Sequence, residues 1–395
     1  MKNMIIRYFG KIHSVIGQHG FFAGIRVLII ALSMLLRRPV SANILFVSSG
    51  AIGDSWRYRV KNVSEELEKH GFSVSVVVQE NFWLDSCADK FSVFIFHRVQ
   101  KNPAVLNLIE KIKALEKEII FETDDLVFDF ELVKKQDFYL QSNESEKEFY
   151  KQLAKDSLLN DQYVKVCTTT TGFLANRLQE RSKNVFVLPN RLSKRDVDVA
   201  ERILEQKHSA PSLSKSVIKI GYFSGTSSHN KDFETITNAL MWIMEKHENV
   251  ELFLAGPLST ENVLNKFASR IKKIPYVPRE KHFENLANID INVAPLEIGN
   301  PFCESKSELK FFEAAIVDVP TVAAATQPFV QAIQDGIDGF VANGYEQWIE
   351  KLERLIVDEK LRKSMGQKAH QKALEQYTIE NSNNEEYYNY LRSKL

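Results

Sequence analysis

The residues best suited to chemistry lie between 300 and 315, which read Asn300-Pro301-Phe302-Cys303-Glu304-Ser305-Lys306-Ser307-Glu308-Leu309-Lys310-Phe311-Phe312-Glu313-Ala314-Ala315. Ser305 and Glu308 match a capping box, which predicts a helix starting near Lys306. Lys306, Lys310 and Glu313 then project from one side at helical spacing. Cations in the first turns oppose the helix macrodipole, which favours anions there. Two lysines at that place suit a site whose occupant is an anion, such as a diphosphate resting on free backbone N–H groups. The alternative is a solvated face neutralised by Glu304 and Glu308. The position of the segment, directly after an apolar strand, favours the anion site.

Three other clusters follow predicted strands. Gly221-Tyr222-Phe223-Ser224-Gly225-Thr226, continuing to Lys231, offers glycine and small hydroxyl residues that let backbone amides approach phosphate oxygens. Ser49-Gly50-Ala51-Ile52-Gly53 is a glycine turn, with Asp54, Arg57 and Arg59 at its rim or along a helix surface. Glu122-Thr123-Asp124-Asp125 gathers three carboxylates at a strand end. They could bind acceptor hydroxyls or take a proton, or Asp124-Asp125 could cap the next helix. His97 ends its own strand and is a further polar contact, or a structural histidine.

The elements that must position these residues alternate between strand and helix. Asn43–Ser49, Ser73–Val78, Phe91–Phe96, Glu118–Phe121, Tyr163–Thr168 and Val185–Leu188 read as buried strands, with helices between them. Residues 128–161 turn polar and helical, which suggests an inserted lid. Residues 196–216, rich in Ser, Lys and Arg, read as a linker. The alternation restarts with Val217–Tyr222, Val250–Leu254, Ile274–Val277, Ile289–Val293, Thr321–Ala324 and Gly339–Ala342. Two doubly wound α/β domains are therefore expected, at 41–195 and 217–376, with a C-terminal helix in 377–395 that crosses back to the first. At 395 residues the chain is long enough for two cores.

With these residues in view, the chain resembles retaining GT-B glycosyltransferases close to the large family four, over roughly residues 43–390. The resemblance rests on the strand, proline, Glu-containing loop and Glu313-Ala314-Ala315, followed by Val319-Pro320-Thr321-Val322-Ala323-Ala324 and Ile333-Gln334-Asp335-Gly336-Ile337-Asp338-Gly339-Phe340-Val341. It implies two Rossmann-like domains facing a cleft, with a nucleotide diphosphate sugar as donor substrate and no cofactor. By this resemblance Glu313 binds the donor ribose hydroxyls. The first glutamate of the family's pair falls on Ser305, with Glu304 one residue off. A related subgroup carries Lys-Ser-x-x-Lys here, which the chain resembles. Gly50, Gly53, Gly225, Thr226, Lys231 and Ser305 are expected at the donor. Thr226 stands where the family commonly has an arginine, and Lys306 or Lys310 would supply the missing charge. Lys306, Lys310, Glu122 and Asp124 are expected in catalysis, and Asp125, Arg57 and His97 at the acceptor. Glu122 stands where relatives often have a histidine.

The implied reaction is glycosyl transfer to a hydroxyl of a glycan or lipid-linked acceptor in bacterial surface polysaccharide assembly. No Asp-x-Asp stands at a plausible diphosphate site, so no metal is expected. A non-catalytic scaffold subunit and a sugar-nucleotide epimerase are the rival readings. Lys plus Arg and Asp plus Glu balance at 51 each, which gives no global field for nucleic acid. Three dispersed cysteines fit a reducing, cytoplasmic compartment. Residues 1–40 combine an amphipathic basic stretch with the apolar run Val27–Leu36, too short for a span of about 20 residues. Two readings stay open there: helices packed on the domain core, or a segment lying on an anionic membrane surface.

Overall fold

A computed structural model describes residues 29–30, 32–209, 217–225, 230–258 and 262–395. Thr226 and residues 1–28 lie outside these, so the expectations for Thr226 and for the first part of the amphipathic segment do too. The described chain forms two compact units, one running to Arg191 and including Ser382–Leu395, the other spanning Leu192–Asn381.

The first unit holds a parallel sheet in the order β2-β1-β3-β4-β5-β6. Its strands are β1 (Ile44–Ser48), β2 (Val74–Val78), β3 (Val93–His97), β4 (Glu118–Glu122), β5 (Val166–Thr169) and β6 (Asn184–Val187). Runs such as Ile-Leu-Phe-Val and Val-Phe-Ile-Phe are apolar at successive positions because both faces of such a sheet are covered. The register aligns Ser48 with His97, His97 with Glu122 and Glu122 with Thr168, so these four side chains form a row at the carboxyl edge. Residues 128–161 contain the helices Phe130–Val133, Asp137–Leu140 and Glu144–Lys155. The returning helix Glu385–Arg392 places Tyr387, Tyr388 and Leu391 in the same core as Ile44, Phe46 and Val93.

The second unit has the order β12-β11-β10-β7-β8-β9. Its strands are β7 (Ile218–Phe223), β8 (Val250–Ala255), β9 (Ile271–Ile274), β10 (Ile291–Ala294), β11 (Thr321–Ala324) and β12 (Phe340–Ala342). In both sheets the chain builds outward to one side, then returns to the other side of its first strand. That reversal leaves a crevice beyond the carboxyl ends of β1 and β3 in one unit and of β7 and β10 in the other. Gly256 shows how tight the second crevice is. Its φ is +95°, and a Cβ there would lie 1.9 Å from the Ser224 carbonyl oxygen that follows β7.

Two expectations are corrected here. β9 is Ile271–Ile274 rather than Ile274–Val277. Residues 196–209, expected as linker, belong to the helix Lys194–Ser209 of the second unit. Val199, Ala200 and Leu204 are buried apolar positions on it, dispersed among charges that made the stretch read as polar. Its start is signalled by Ser193 and Asp196: the Asp196 amide donates to Ser193 Oγ (3.2 Å) and the Ser193 amide to Asp196 Oδ2 (3.1 Å).

Candidate active site

In the second unit, Asn300 caps a short helical turn, Pro301–Glu304, by accepting from the Phe302 amide (3.0 Å). Proline suits the first helical position. The Glu304 carboxylate accepts the Gly299 amide (2.9 Å) and the Gln327 amide (2.8 Å), which ties the loop down. Buried Ser305 donates to the Phe302 carbonyl (2.8 Å). The expected capping box therefore does not form. The next helix is Leu309–Ala315, entered through Glu308 without a side-chain cap. The Pro301 turn takes up the Ser305 hydroxyl and delays the helix, so Lys306 lies ahead of it while Lys310 and Glu313 lie on it.

The three charged residues still converge on the carboxyl edge of β7. Lys310 Nζ donates to the carbonyl of Phe223, the last residue of that strand, and lies 5.2 Å over the Tyr222 ring. Lys306 Nζ is 3.2 Å from Asp232 Oδ2, in the first turn of the helix Asn230–Lys246. The other Asp232 oxygen accepts from Cys303 Sγ at 3.2 Å. Burial, reinforced by Asp232, pushes the Cys303 thiol up to about 12, so it stays protonated. Gly225 borders this edge with open space around its Cα, and Lys231 is exposed beside Asp232.

Glu313 is buried and contacted on each oxygen by the helix Arg279–Ala287: Oε1 pairs with Arg279 Nη1, and Oε2 lies 3.2 Å from His282 Nε2. Arg279 Nε donates in turn to Asp196 Oδ1 (3.0 Å). Burial opposes the charge on Asp196, but Arg279 and Ser193 outweigh it and hold the carboxyl below its ordinary range. The His282 ring meets Phe223 edge-on at 5.2 Å, which joins the Glu313 group to the end of β7. Arg279, His282, Asp232 and Asp196 were not singled out in the sequence. The available signal was Arg279 and His282 at i, i+3 directly after Pro278, a spacing that puts both on one helix face.

In the first unit, His97 bridges two hydroxyls: Nδ1 lies 3.1 Å from Ser48 Oγ and Nε2 lies 3.0 Å from Ser55 Oγ. Ser55 donates to Asp124 Oδ1 (3.1 Å), which also accepts from Arg98 Nε at 2.6 Å. Burial opposes the charge on Asp124, yet Arg98 and His97 hold it well below the usual carboxylate range. Arg98 itself adopts a left-handed backbone, φ 51°, costly for a non-glycine residue. Asp125 Oδ1 accepts the Leu126 amide (2.7 Å), and Oδ2 lies 3.4 Å from Arg98. The Gly50 amide donates to Ser48 Oγ (3.3 Å), and Gly53 turns the loop with φ +97°. Arg57 faces Asp54 at 3.8 Å and is partly exposed.

Glu122 requires correction. It lies in the interior rather than at the site, with Oε1 accepting from Arg59 Nε (2.7 Å), Oε2 from Arg59 Nη2 (3.2 Å), and Thr168 Oγ1 also donating to Oε2. Arg59, expected at the rim, is fully buried and also donates to the Leu188 carbonyl (2.7 Å) and Asn190 Oδ1 (3.0 Å). A carboxylate so enclosed cannot reach an acceptor hydroxyl. Asp124 is likewise a poor proton acceptor, because Arg98 and its other partners stabilise the ionised form.

Residues 218–358 match the family model described as "Glycosyl transferases group 1". No curated protein matches the chain. Among solved structures, HepE from Anabaena in complex with UDP and glucose aligns with a TM-score of 0.59 at 12% identity, covering 89% of this chain and 100% of that one. A glycosyltransferase from Rickettsia africae aligns with 0.59 at 15%, covering 89% and 99%. WaaG, a glycosyltransferase involved in lipopolysaccharide biosynthesis, aligns with 0.57 at 15%, covering 88% and 99%. At these identities the likeness is one of fold, and the fold is that of GT-B glycosyltransferases.

Proposed function

With residues 218–358 forming a group 1 glycosyl transferase domain, we propose that the protein transfers a sugar from a nucleotide diphosphate donor to a hydroxyl of a glycan or lipid-linked acceptor. The observation that carries this reading is Lys310, held on the Phe223 carbonyl at the reversal of the second sheet, three residues before Glu313 on one helix. An anion beyond β7 would meet Lys310, Lys306 and the positive N-terminal end of the helix Asn230–Lys246. Glu313, oriented by Arg279 and His282, is the carboxylate that would accept hydrogen bonds from the donor ribose.

In the reaction the acceptor oxygen bonds to the anomeric carbon and the bond from that carbon to the β-phosphate oxygen breaks. The acceptor proton passes to a phosphate oxygen of the departing diphosphate. Lysines and amides stabilise the charge that develops there, so the step proceeds without a metal. Transfer with retention fits a diphosphate that receives the proton on the face it leaves. Asp124 and Asp125, fixed by Arg98, suit hydrogen bonds from acceptor hydroxyls rather than proton abstraction. The setting is bacterial surface polysaccharide assembly on the cytoplasmic side of a membrane.

UDP-glucose is the first donor to test, given the UDP and glucose bound to HepE. The purified chain should be stabilised against heat by UDP and should release UDP from a UDP-sugar when a polysaccharide or lipid-linked acceptor is supplied. Failure of every common nucleoside diphosphate to raise the melting temperature would sink the reading.

A further inference from the structure

We propose that an outer face built from Ile29, Leu32, Leu36, Val40 and Phe82 seats the first unit on an anionic membrane surface. This deepens the lipid-linked side of the reading above by naming the surface. The helical residues 32–36 dock through Met34, which is buried against Ala51 and Val78. Ile29, Leu32 and Leu36 follow at i, i+3 and i+7, a single stripe on the side away from Met34. Leu36 is 63% exposed, Val40 68% and Phe82 79%.

The stripe is held rigidly. Asn81 Nδ2 donates to the carbonyls of Met34 (2.8 Å) and Arg37 (2.9 Å), and the Phe82 amide to the carbonyl of Leu35 (3.0 Å). Trp83 Nε1 donates to the Leu36 carbonyl (3.2 Å), and Arg38 stacks 4.1 Å over its ring. The Asn81–Trp83 turn thus sets Phe82 beside the end of the apolar stripe, with Trp83, Arg37 and Arg38 at its margin. Indole and guanidinium groups beside exposed aliphatic residues are what a bilayer's headgroup level accommodates.

Charge distribution points to the same occupant. In a chain whose charges balance, no Asp or Glu precedes Asp54, while Lys2, Arg7, Lys11, Arg26, Arg37 and Arg38 all do. A segment with cations only is attracted to anionic lipid and gains nothing from zwitterionic lipid by the same term. Among the described residues no helix is long and apolar enough to cross a membrane.

The test is co-sedimentation of the full chain with vesicles of phosphatidylcholine alone or mixed with phosphatidylglycerol. The intact protein should pellet with the mixed vesicles and much less with phosphatidylcholine. L32S/L36S/F82S, all at exposed positions, should lower the partition coefficient at least tenfold. R37Q/R38Q should lower it by about thirtyfold on mixed vesicles only, at roughly the weight of two surface cations. UDP-induced stabilisation, measured in parallel, reports the folded state of each variant. Equal pelleting of all three proteins, or none by the intact chain, overturns the proposal. A dimer that dissociates in the triple variant without vesicle binding does so too, by making a second copy the occupant. Vesicle binding without any response to UDP would leave the docking face standing and remove the donor reading instead.

Discussion

Arg279 and Glu313 are ion-paired inside the second unit, with Asp196 behind the arginine and His282 on the other carboxylate oxygen. The pair explains how a carboxylate could stand close to the proposed diphosphate site. Arg279 offsets the charge of Glu313 and fixes its orientation, which would reduce its repulsion of a phosphate bound nearby.

Glu313→Gln should weaken binding of a nucleoside diphosphate roughly tenfold, the weight of one charge-assisted hydrogen bond. Arg279→Gln should weaken it more for the diphosphate than for the nucleoside, since it uncovers a negative charge. Calorimetric titration with uridine, UMP and UDP reads both effects. Equal losses across the three ligands would mean that Arg279 acts only on the fold.

Lys310→Ala should reduce turnover by about 10²–10³ with a smaller effect on donor affinity, as expected for a group that stabilises developing charge. Lys306→Ala should do less, because Asp232 already offsets that ammonium. Steady-state release of nucleoside diphosphate measures this. A loss under threefold at Lys310 would return it to a structural role, that of tethering its helix to β7.

Arg59 and Glu122 form an enclosed pair, and removing one partner leaves the other charge buried. Glu122→Gln or Arg59→Met should therefore cost about 3–5 kcal/mol of stability, while a paired apolar replacement, R59M/E122L, should recover most of it. Denaturant titration of the three variants decides the matter. Normal stability with lost transfer in Glu122→Gln would restore Glu122 to the site.

Asp124 gives a pH signature with a definite sign. Its folded pKa is depressed below that of the unfolded chain, about 3.9. Its contribution to stability is thus fully present above that value and fades as the pH falls through and below it. The melting temperature of Asp124→Asn should lie under that of the parent at pH 7, and the gap should narrow as the pH drops from 5 towards 3. A gap that stays constant over that range would show that Arg98 does not govern the ionisation.

The fold was legible because both sheets are parallel and covered on both faces, so their strands read as short apolar runs between helical stretches. Thr321–Ala324 was read as a strand with the bounds it has in the structure. The helix Lys194–Ser209 was missed because three buried apolar positions could not outweigh its charges, although Ser193 and Asp196 marked its start.

Within the candidate site, the sequence by itself determined which residues follow strands, and therefore that Lys306, Lys310, Glu313, His97 and Asp124 would gather at carboxyl edges. It could not determine which strand-end charges stay at the edge of their own sheet and which are enclosed. Glu122 and Asp124 are two residues apart at one strand end, yet the first is enclosed by Arg59 from 63 positions upstream. Arg279 meets Glu313 across 34 residues. Such pairings are decided by strand order and helix packing, which bring distant segments within hydrogen-bond reach. Local periodicity carries no term for them, so only the tertiary structure separates a charge enclosed in the interior, such as Glu122, from one at a strand's carboxyl edge, such as Lys310.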